Sequence, residues 1–441
     1  MDNRKTSRRA FLKLAGVAAT GATLAACAPP PQAAPKAAEP AKPAEKPAAA
    51  PAAAAGGKVV IAVGGWAQDT TKEITDKLGF KESGHTVDVQ VRPGGAELTA
   101  MLTAGIASGA SPYDVMDFED EAAITYSRSG YFMPLDDLLP KDFWEDFPET
   151  LMGVTKLWDQ YEGKTFRIHH NFECNYHWYR KDWFDAKGVK PPETWDDVAA
   201  LGKVFTDEAK GVWATEDGLT PGGLAVYQGY ITNQAGGNVF AVDDKWKTAL
   251  QYAHKLIYED KAMNPASLQK DYTQQNADYT ADKVAYHRQW PFFYDVARAK
   301  KDWFKEEKAV ICLPPVGPGG KASSTYAAGW GFGILKTAQN MDGAQKLLQF
   351  LVDKKNAGQM AKMNTWWLSN RKSVLETVGD AGMAKYLKMY SEAGVVGARP
   401  YHPKFVEASS KLDAAASAYL TNQIDLDACV KQGQEAMKAL A

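Results

Sequence analysis

Lys58-Val59-Val60-Ile61-Ala62-Val63-Gly64-Gly65 is a run rich in β-branched residues closed by two glycines, the pattern of a buried strand that feeds a loop. The spacing predicts a helix over 70–81 and then an alternating strand over 86–92. Leu98, Met101, Leu102 and Ile106 recur at helical spacing within 97–108, and 113–118 reads as a third strand. Strand, helix, strand, helix, strand implies a parallel sheet with helices on its faces, so the fold class is α/β.

Further along, strand-like stretches are expected at 164–168 and 174–179, with helices around 195–208 and 245–259. Short strands follow at 309–314 and 331–335, then helices over 342–353, 380–392 and 405–420. No internal repeat is visible.

Upstream of the first strand, Arg4, Lys5, Arg8, Arg9 and Lys13 precede an apolar run from Leu14 to Ala26, too short to span a bilayer comfortably. The stretch from Ser7 to Lys13 resembles the twin-arginine export signal. Leu24-Ala25-Ala26-Cys27 looks like the cleavage box of bacterial lipoproteins, in which the cysteine thiol takes a diacylglyceryl group. Residues 1–27 are therefore expected to be a signal peptide with the lipid on Cys27, two acyl chains being enough for stable anchoring. Residues 28–57 are almost all Ala and Pro and are expected to form a disordered spacer, reaching about 90 Å at ~3.1 Å per residue. The expected location is the outer face of the cell membrane, extracellular or periplasmic.

The 441-residue chain carries a net charge of -2 and 24% charged residues, so no basic field is available for nucleic acid. From Lys58 onward it is long enough for two lobes with full cores. Besides Cys27 there are three scattered cysteines, Cys174, Cys312 and Cys429; their number and spacing exclude a zinc framework and favour isolated buried thiols over a disulfide. No haem, iron–sulfur or dinucleotide motif is present, and no cofactor is expected. The 13 Trp and 19 Tyr exceed what a core requires, because both carry polar edges that want partners.

Four blocks carry a family resemblance: Ala107-Ser108-Gly109-Ala110-Ser111-Pro112-Tyr113-Asp114-Val115 with Gly130-Tyr131-Phe132-Met133-Pro134-Leu135; Tyr179-Arg180-Lys181-Asp182-Trp183-Phe184 with Pro191-Pro192-Glu193-Thr194-Trp195; Asn233-Gln234-Ala235-Gly236-Gly237; and Gly329-Trp330-Gly331-Phe332-Gly333-Ile334. In this order they resemble the extracellular solute-binding proteins of ABC importers, in the branch of maltose-binding protein. The resemblance implies a two-lobed periplasmic-binding-protein fold of type II, with discontinuous lobes joined by a hinge and solute held between them. On that template 58–168 and 307–355 form lobe 1, and 169–306 and 356–441 form lobe 2. It also implies a small-molecule solute, a permease as membrane partner, and a monomer.

A carbohydrate site needs aromatic faces for pyranose stacking, and carboxylates or amides for hydroxyls. Trp66 and Asp69 lie on the loop after the first strand, at the mouth of the cleft in open α/β sheets. Phe118, Glu119 and Glu121 follow the third strand, and acids there also suit a helix start. His170 and Glu173 lie where the family crosses between lobes. Tyr227 and Trp290 fall where the resemblance implies second-lobe contacts. Trp330, between two glycines, suits close approach of a ligand. Of Trp366 and its neighbour Trp367 one ring at most faces the core, and Arg399 offers a fork for hydroxyls or an acid. A metal site at His169, His170, Cys174 and His177 is not expected, since an extended segment sends neighbouring side chains to opposite faces. The other readings are an extracellular hydrolase using paired carboxylates such as Glu119 and Glu173, and the same fold binding a non-sugar solute.

Overall fold

The structure is a computed structural model that describes residues 56–300, 302–306, 308–319 and 325–440. The expected signal peptide over 1–27, the lipid-bearing Cys27 and nearly all of the spacer over 28–57 lie outside the described residues.

The strand Gly57–Val63 pairs in parallel with His85–Val91 on one side and Val115–Glu119 on the other. Helices Gln68–Lys77 and Gly95–Ser108 make the crossovers. The first helix stops short of 81 because Gly79 turns the chain at φ +84°, a left-handed conformation that glycine adopts without steric cost. Trp330–Ile334 then runs antiparallel to Val115–Glu119, and Ile168–His169 antiparallel to it, completing a five-stranded sheet. Both faces are buried. Val59, Ile61 and Val63 join Leu347, Leu348 and Leu351 on one side, while Ala62 and Met116 join Leu98 and Leu102 on the other. Each fully buried large aliphatic side chain contributes about 1.5–3 kcal/mol.

A second sheet has the order Ala309–Cys312, Tyr176–Arg180, Val284–Gln289, Trp213–Glu216. Its two last-named strands escape the sequence pattern for a physical reason. Val284–Gln289 is buried throughout although it ends in His287, Arg288 and Gln289. Partners satisfy the last two: Arg288 forks onto Asp217 at 2.7 and 2.6 Å, and Gln289 donates to Asn276 at 2.9 Å. Beside this sheet Trp246, Leu250 and Leu256 of the helix Asp244–Tyr258 pack with Ala285 and Leu412.

Between the two sheets lies a three-stranded one, Glu173–Cys174, Thr325–Ala328 and Val396–Ala398. The chain passes through it twice on the way between the large sheets, over 168–180 and over 325–334. Two segments pair or pack with elements that the template put in the other lobe. Ala309–Cys312, which the template assigned to lobe 1, pairs antiparallel with Tyr176–Arg180 of the second sheet. Helices Lys354–Met363 and Lys372–Val378, assigned largely to lobe 2, bury Met360 and Val374 in the core that holds Val59 and Leu347, and Arg371 donates to Asp146 and to the Val352 carbonyl.

Cys174, Cys312 and Cys429 are free thiols. Burial pushes the Cys312 and Cys429 thiols up to about 12, which leaves them unreactive. No helix among the described residues is long and apolar enough to cross a membrane.

Candidate functional site

The site is assembled along three consecutive residues, Ala328, Gly329 and Trp330, where the chain leaves the bridging sheet for the first sheet. Glu173 is the antiparallel partner of Ala328, and Glu119 that of Trp330. Directly opposed residues of an antiparallel pair share a face, so each acid stands beside this segment. Asp120 fills the middle: its Oδ1 accepts from the Gly329 amide at 3.0 Å, and its own amide donates to the Gly329 carbonyl at 2.9 Å. Position 329 has to be glycine, because a Cβ there would come within 2.3 Å of the Asn171 carbonyl oxygen. Arg167 locks the junction from below, donating to the carbonyls of Gly329 at 2.6 Å and Phe118 at 3.1 Å, and to Asp159 at 3.1 Å.

Asp120 and Glu121 also open the helix Asp120–Arg128, where negative charge meets the positive end of the helix dipole. Arg399, just after Val396–Ala398, comes to them from the bridging sheet. Its Nη1 donates to Glu121 and its Nε lies 3.5 Å from Asp120. The guanidinium also sits 5.9 Å from the Tyr326 ring and 5.8 Å from that of Phe405. Burial pushes the Glu119 carboxyl well above the usual range, and the Glu121 carboxylate beside it adds to the shift. Burial likewise raises Asp120, and it raises Glu173 to about 7. Burial disfavours charge on Arg399 too, yet Asp120 and Glu121 outweigh it and hold the guanidinium charged.

Next to this cluster opens a cavity of about 570 Å³. Glu121, Arg399 and Tyr326 bound it on one side, and Phe405, Ser409 and Asp413 of the helix Phe405–Leu420 bound it on the other. Asp413 accepts from the Gly222 amide at 2.9 Å and from Gln228 at 2.8 Å, and burial raises its carboxyl to about 6.

The aromatic part adjoins Glu119 through its strand partner Trp330. Trp66, 65% exposed, meets Trp330 edge-on at 5.2 Å, and Trp330 meets Trp366 at 5.4 Å. Arg92 covers Trp330 at 5.4 Å while donating to the Asp117 carbonyl at 2.9 Å. His170 stacks on Phe332 at 4.4 Å and bonds Asp117 at 3.0 Å, close to both Trp366 and Trp367. Trp367 is the buried member of its pair, its indole donating to Thr70 at 2.9 Å.

The expected residues thus fall into groups. Glu119, Glu121, Glu173 and Arg399 come together, and Trp66, Trp330, Trp366 and His170 form the adjoining cluster. Phe118 is a correction: it faces the opposite side of the sheet, 1% exposed and stacked on Phe132 at 4.6 Å, because it alternates with Glu119 along the strand. Asp69 stands exposed in the first turn of Gln68–Lys77, a position that suits the helix dipole. Tyr227 and Trp290 are buried on the side of the second sheet, Tyr227 5.8 Å from Arg288 and Trp290 6.3 Å from Tyr326. Sequence reasoning missed Arg92, Tyr326 and the wall of the cavity. One signal was available: Ser409, Asp413 and Ser417 recur every fourth residue in a helix otherwise rich in Ala and Leu, a polar row on one face.

A family model described as bacterial extracellular solute-binding protein matches residues 64–358. A binding protein of Brucella abortus is 24% identical over 294 residues, 64% of this chain and 68% of the relative. Among solved structures, maltose-bound MalE3 of T. maritima superposes with a TM-score of 0.73 at 19% identity, covering 87% of this chain and 100% of that one. The GacH receptor of Streptomyces glaucescens, studied unliganded and with acarbose, gives 0.73 at 18% identity, with 87% and 98% coverage. A solute-binding protein of Agrobacterium radiobacter in complex with ribitol gives 0.72 at 21% identity, with 87% and 99% coverage. The fold is therefore that of the two-lobed periplasmic binding proteins.

Proposed function

This chain belongs to the bacterial extracellular solute-binding proteins, and from that premise we propose that it captures a sugar or polyol between its lobes and delivers it to the permease of an ABC importer. The observation that carries this reading is the cavity of about 570 Å³ beside the Arg399–Glu121 pair, whose walls come from Glu121 of the first sheet's helix, from the bridging sheet, from residues 219–226 and from the helix Phe405–Leu420. A site divided among these elements forms fully only when they close on a solute, so binding favours the closed state. Solved proteins of this fold hold maltose, ribitol or D-mannitol. Exposed Trp66 offers an apolar face and the carboxylates accept from hydroxyls, the two halves of a carbohydrate site.

In this proposal the protein binds and carries out no chemistry of its own, and Glu119 and Glu173 act as hydrogen-bond partners rather than as a catalytic pair. Twin-arginine export and a lipid on Cys27 would keep a single closing receptor within reach of the permease. The bridging sheet would serve as the hinge, with residues up to 169 and from about 329 to 378 in one lobe.

The test is a thermal-shift survey of sugars and polyols followed by solution scattering with any hit. A solute at one hundred times its Kd raises stability by about 2.7 kcal/mol, and the radius of gyration is expected to fall on binding. If no sugar or polyol moves the melting temperature, the reading fails.

A further inference from the structure

We propose that the solute bears a protonated amine, an amino sugar or aminated polyol, and that Glu119 and Glu121 hold its ammonium while its carbon skeleton lies on the tryptophans. This inference rests on the sugar or polyol reading above and narrows its chemical class.

The first ground is a charge imbalance confined to one place. Glu119, Asp120, Glu121 and Glu173 gather along Ala328, Gly329 and Trp330, and against these four acids stand Arg399, committed to Asp120 and Glu121, and Arg167, which is paired with Asp159. Glu119 and Glu121 flank Asp120 where the helix Asp120–Arg128 begins, and burial, then the Glu121 charge, disfavour a negative charge on Glu119 unless a cation joins it. Arg92, the nearby base, is turned to the Asp117 carbonyl and the Trp330 ring instead.

The second ground is independent of charge. Asn171 is 1% exposed, and its amide nitrogen donates to Glu173 at 3.1 Å and to the Trp366 carbonyl at 3.0 Å. Its Oδ1 finds no partner among the described residues. A buried acceptor of this kind, tied to two members of the site, calls for a donor. An ammonium supplies that donor and has two more for the neighbouring carboxyls.

The third ground is the aromatic wall. Because Trp330 stands opposite Glu119 on the same face, a cation held by that acid lies beside the ring cluster of Trp66, Trp330 and Trp366. Tryptophan faces attract cations, and Arg92 already uses one face of Trp330 in this way. Entry of an ammonium would replace the proton that the buried carboxyls otherwise keep, so binding releases a proton.

The experiment uses the folded chain and matched pairs that differ only by an amine: D-glucosamine with D-glucose, N-methyl-D-glucamine with D-glucitol, and chitosan oligosaccharides with cello-oligosaccharides. Affinities are taken by calorimetry at pH 6, in two buffers of different ionisation heat. The expected result is that in at least one pair the amine binds about tenfold tighter or more, with proton release. Glu119→Gln and Glu121→Gln are expected to remove that preference, lowering affinity for the amine by about tenfold more than for its neutral partner. Equal or tighter binding of the neutral members overturns the amine proposal and leaves the sugar or polyol reading standing. Binding of neither member of any pair, together with a blank thermal survey, overturns both.

Discussion

Arg399 and Glu121 lie 278 residues apart in sequence and form an ion pair that joins the segment after the bridging sheet to the helix that follows the central strand of the first sheet. The guanidinium is mostly buried, Glu121 is partly exposed, and Asp120 shares the charge. Removing it leaves several carboxyls facing one another. Arg399→Gln is expected to cost about 1–3 kcal/mol at pH 7.5, below the range for a fully buried pair because Glu121 is partly in water. The cost should shrink at pH 5, where Glu173, raised to about 7, is protonated and adds no negative charge to the cluster. Urea melts at the two pH values measure both; an equal loss at each would contradict the electrostatic account.

Glu173 carries the second prediction. Burial raises its carboxyl to about 7 from the ordinary 4.5, so between those values the folded protein binds a proton that the unfolded chain has released. Its contribution is fully present below about pH 4.5 and is lost as pH rises through about 7. Glu173→Gln keeps the Asn171 hydrogen bond but cannot ionise. Relative to the parent the variant should gain stability on the order of 2 kcal/mol from pH 4.5 to pH 8. Parallel melting curves across that interval would reject the assignment.

Trp66 and Phe118 should behave oppositely. Trp66 is 65% exposed, so Trp66→Ala is expected to change stability by less than about 0.5 kcal/mol while weakening the solute about tenfold or more through lost stacking. Phe118→Ala opens a hole in a packed core and is expected to cost about 3–5 kcal/mol, with affinity unchanged in the fraction that stays folded. Calorimetry paired with denaturation separates the two effects.

At the junction, Gly329→Ala would push a methyl against the Asn171 backbone at 2.3 Å. Backbone cannot swing away as a side-chain tip can, so a loss of about 1–3 kcal/mol is expected. Because Asp120 and Arg167 both hold Gly329, solute affinity should fall as well. Wild-type affinity in the folded variant would show that the junction does not position the acids.

For the proposed anchor, Cys27→Ser is expected to release the protein from the membrane and to lower solute uptake by cells, with solute affinity of the purified protein unchanged. Fractionation and an uptake assay read the two parts separately. Unchanged membrane association would refute lipidation at this residue.

Much of the first sheet was legible in the chain. Its first strand is an apolar run closed by Gly64-Gly65, and Gly109 ends the helix Gly95–Ser108, patterns that reflect local backbone preference and burial. The second sheet was harder to read: Val284–Gln289 is a buried strand that ends in charged and amide residues, and partners brought in from elsewhere in the chain, Asp217 and Asn276 among them, make that ending tolerable. The cavity wall at Ser409 and Asp413 passed for a polar helix face, since nothing local says what packs opposite it.

By itself the sequence determined the α/β class, the aromatic and acidic stock of the site, and the four blocks that reveal the family. Tertiary structure decided which of those residues meet. Phe118 and Glu119 are neighbours in sequence and point to opposite faces, and pairing of Trp330 with Glu119 sets which face turns to the tryptophans. Glu121 and Arg399 find each other only because Val396–Ala398 pairs with Thr325–Ala328. Strand register is a long-range choice made by packing, and a shift of one residue would send a different set of side chains into the site.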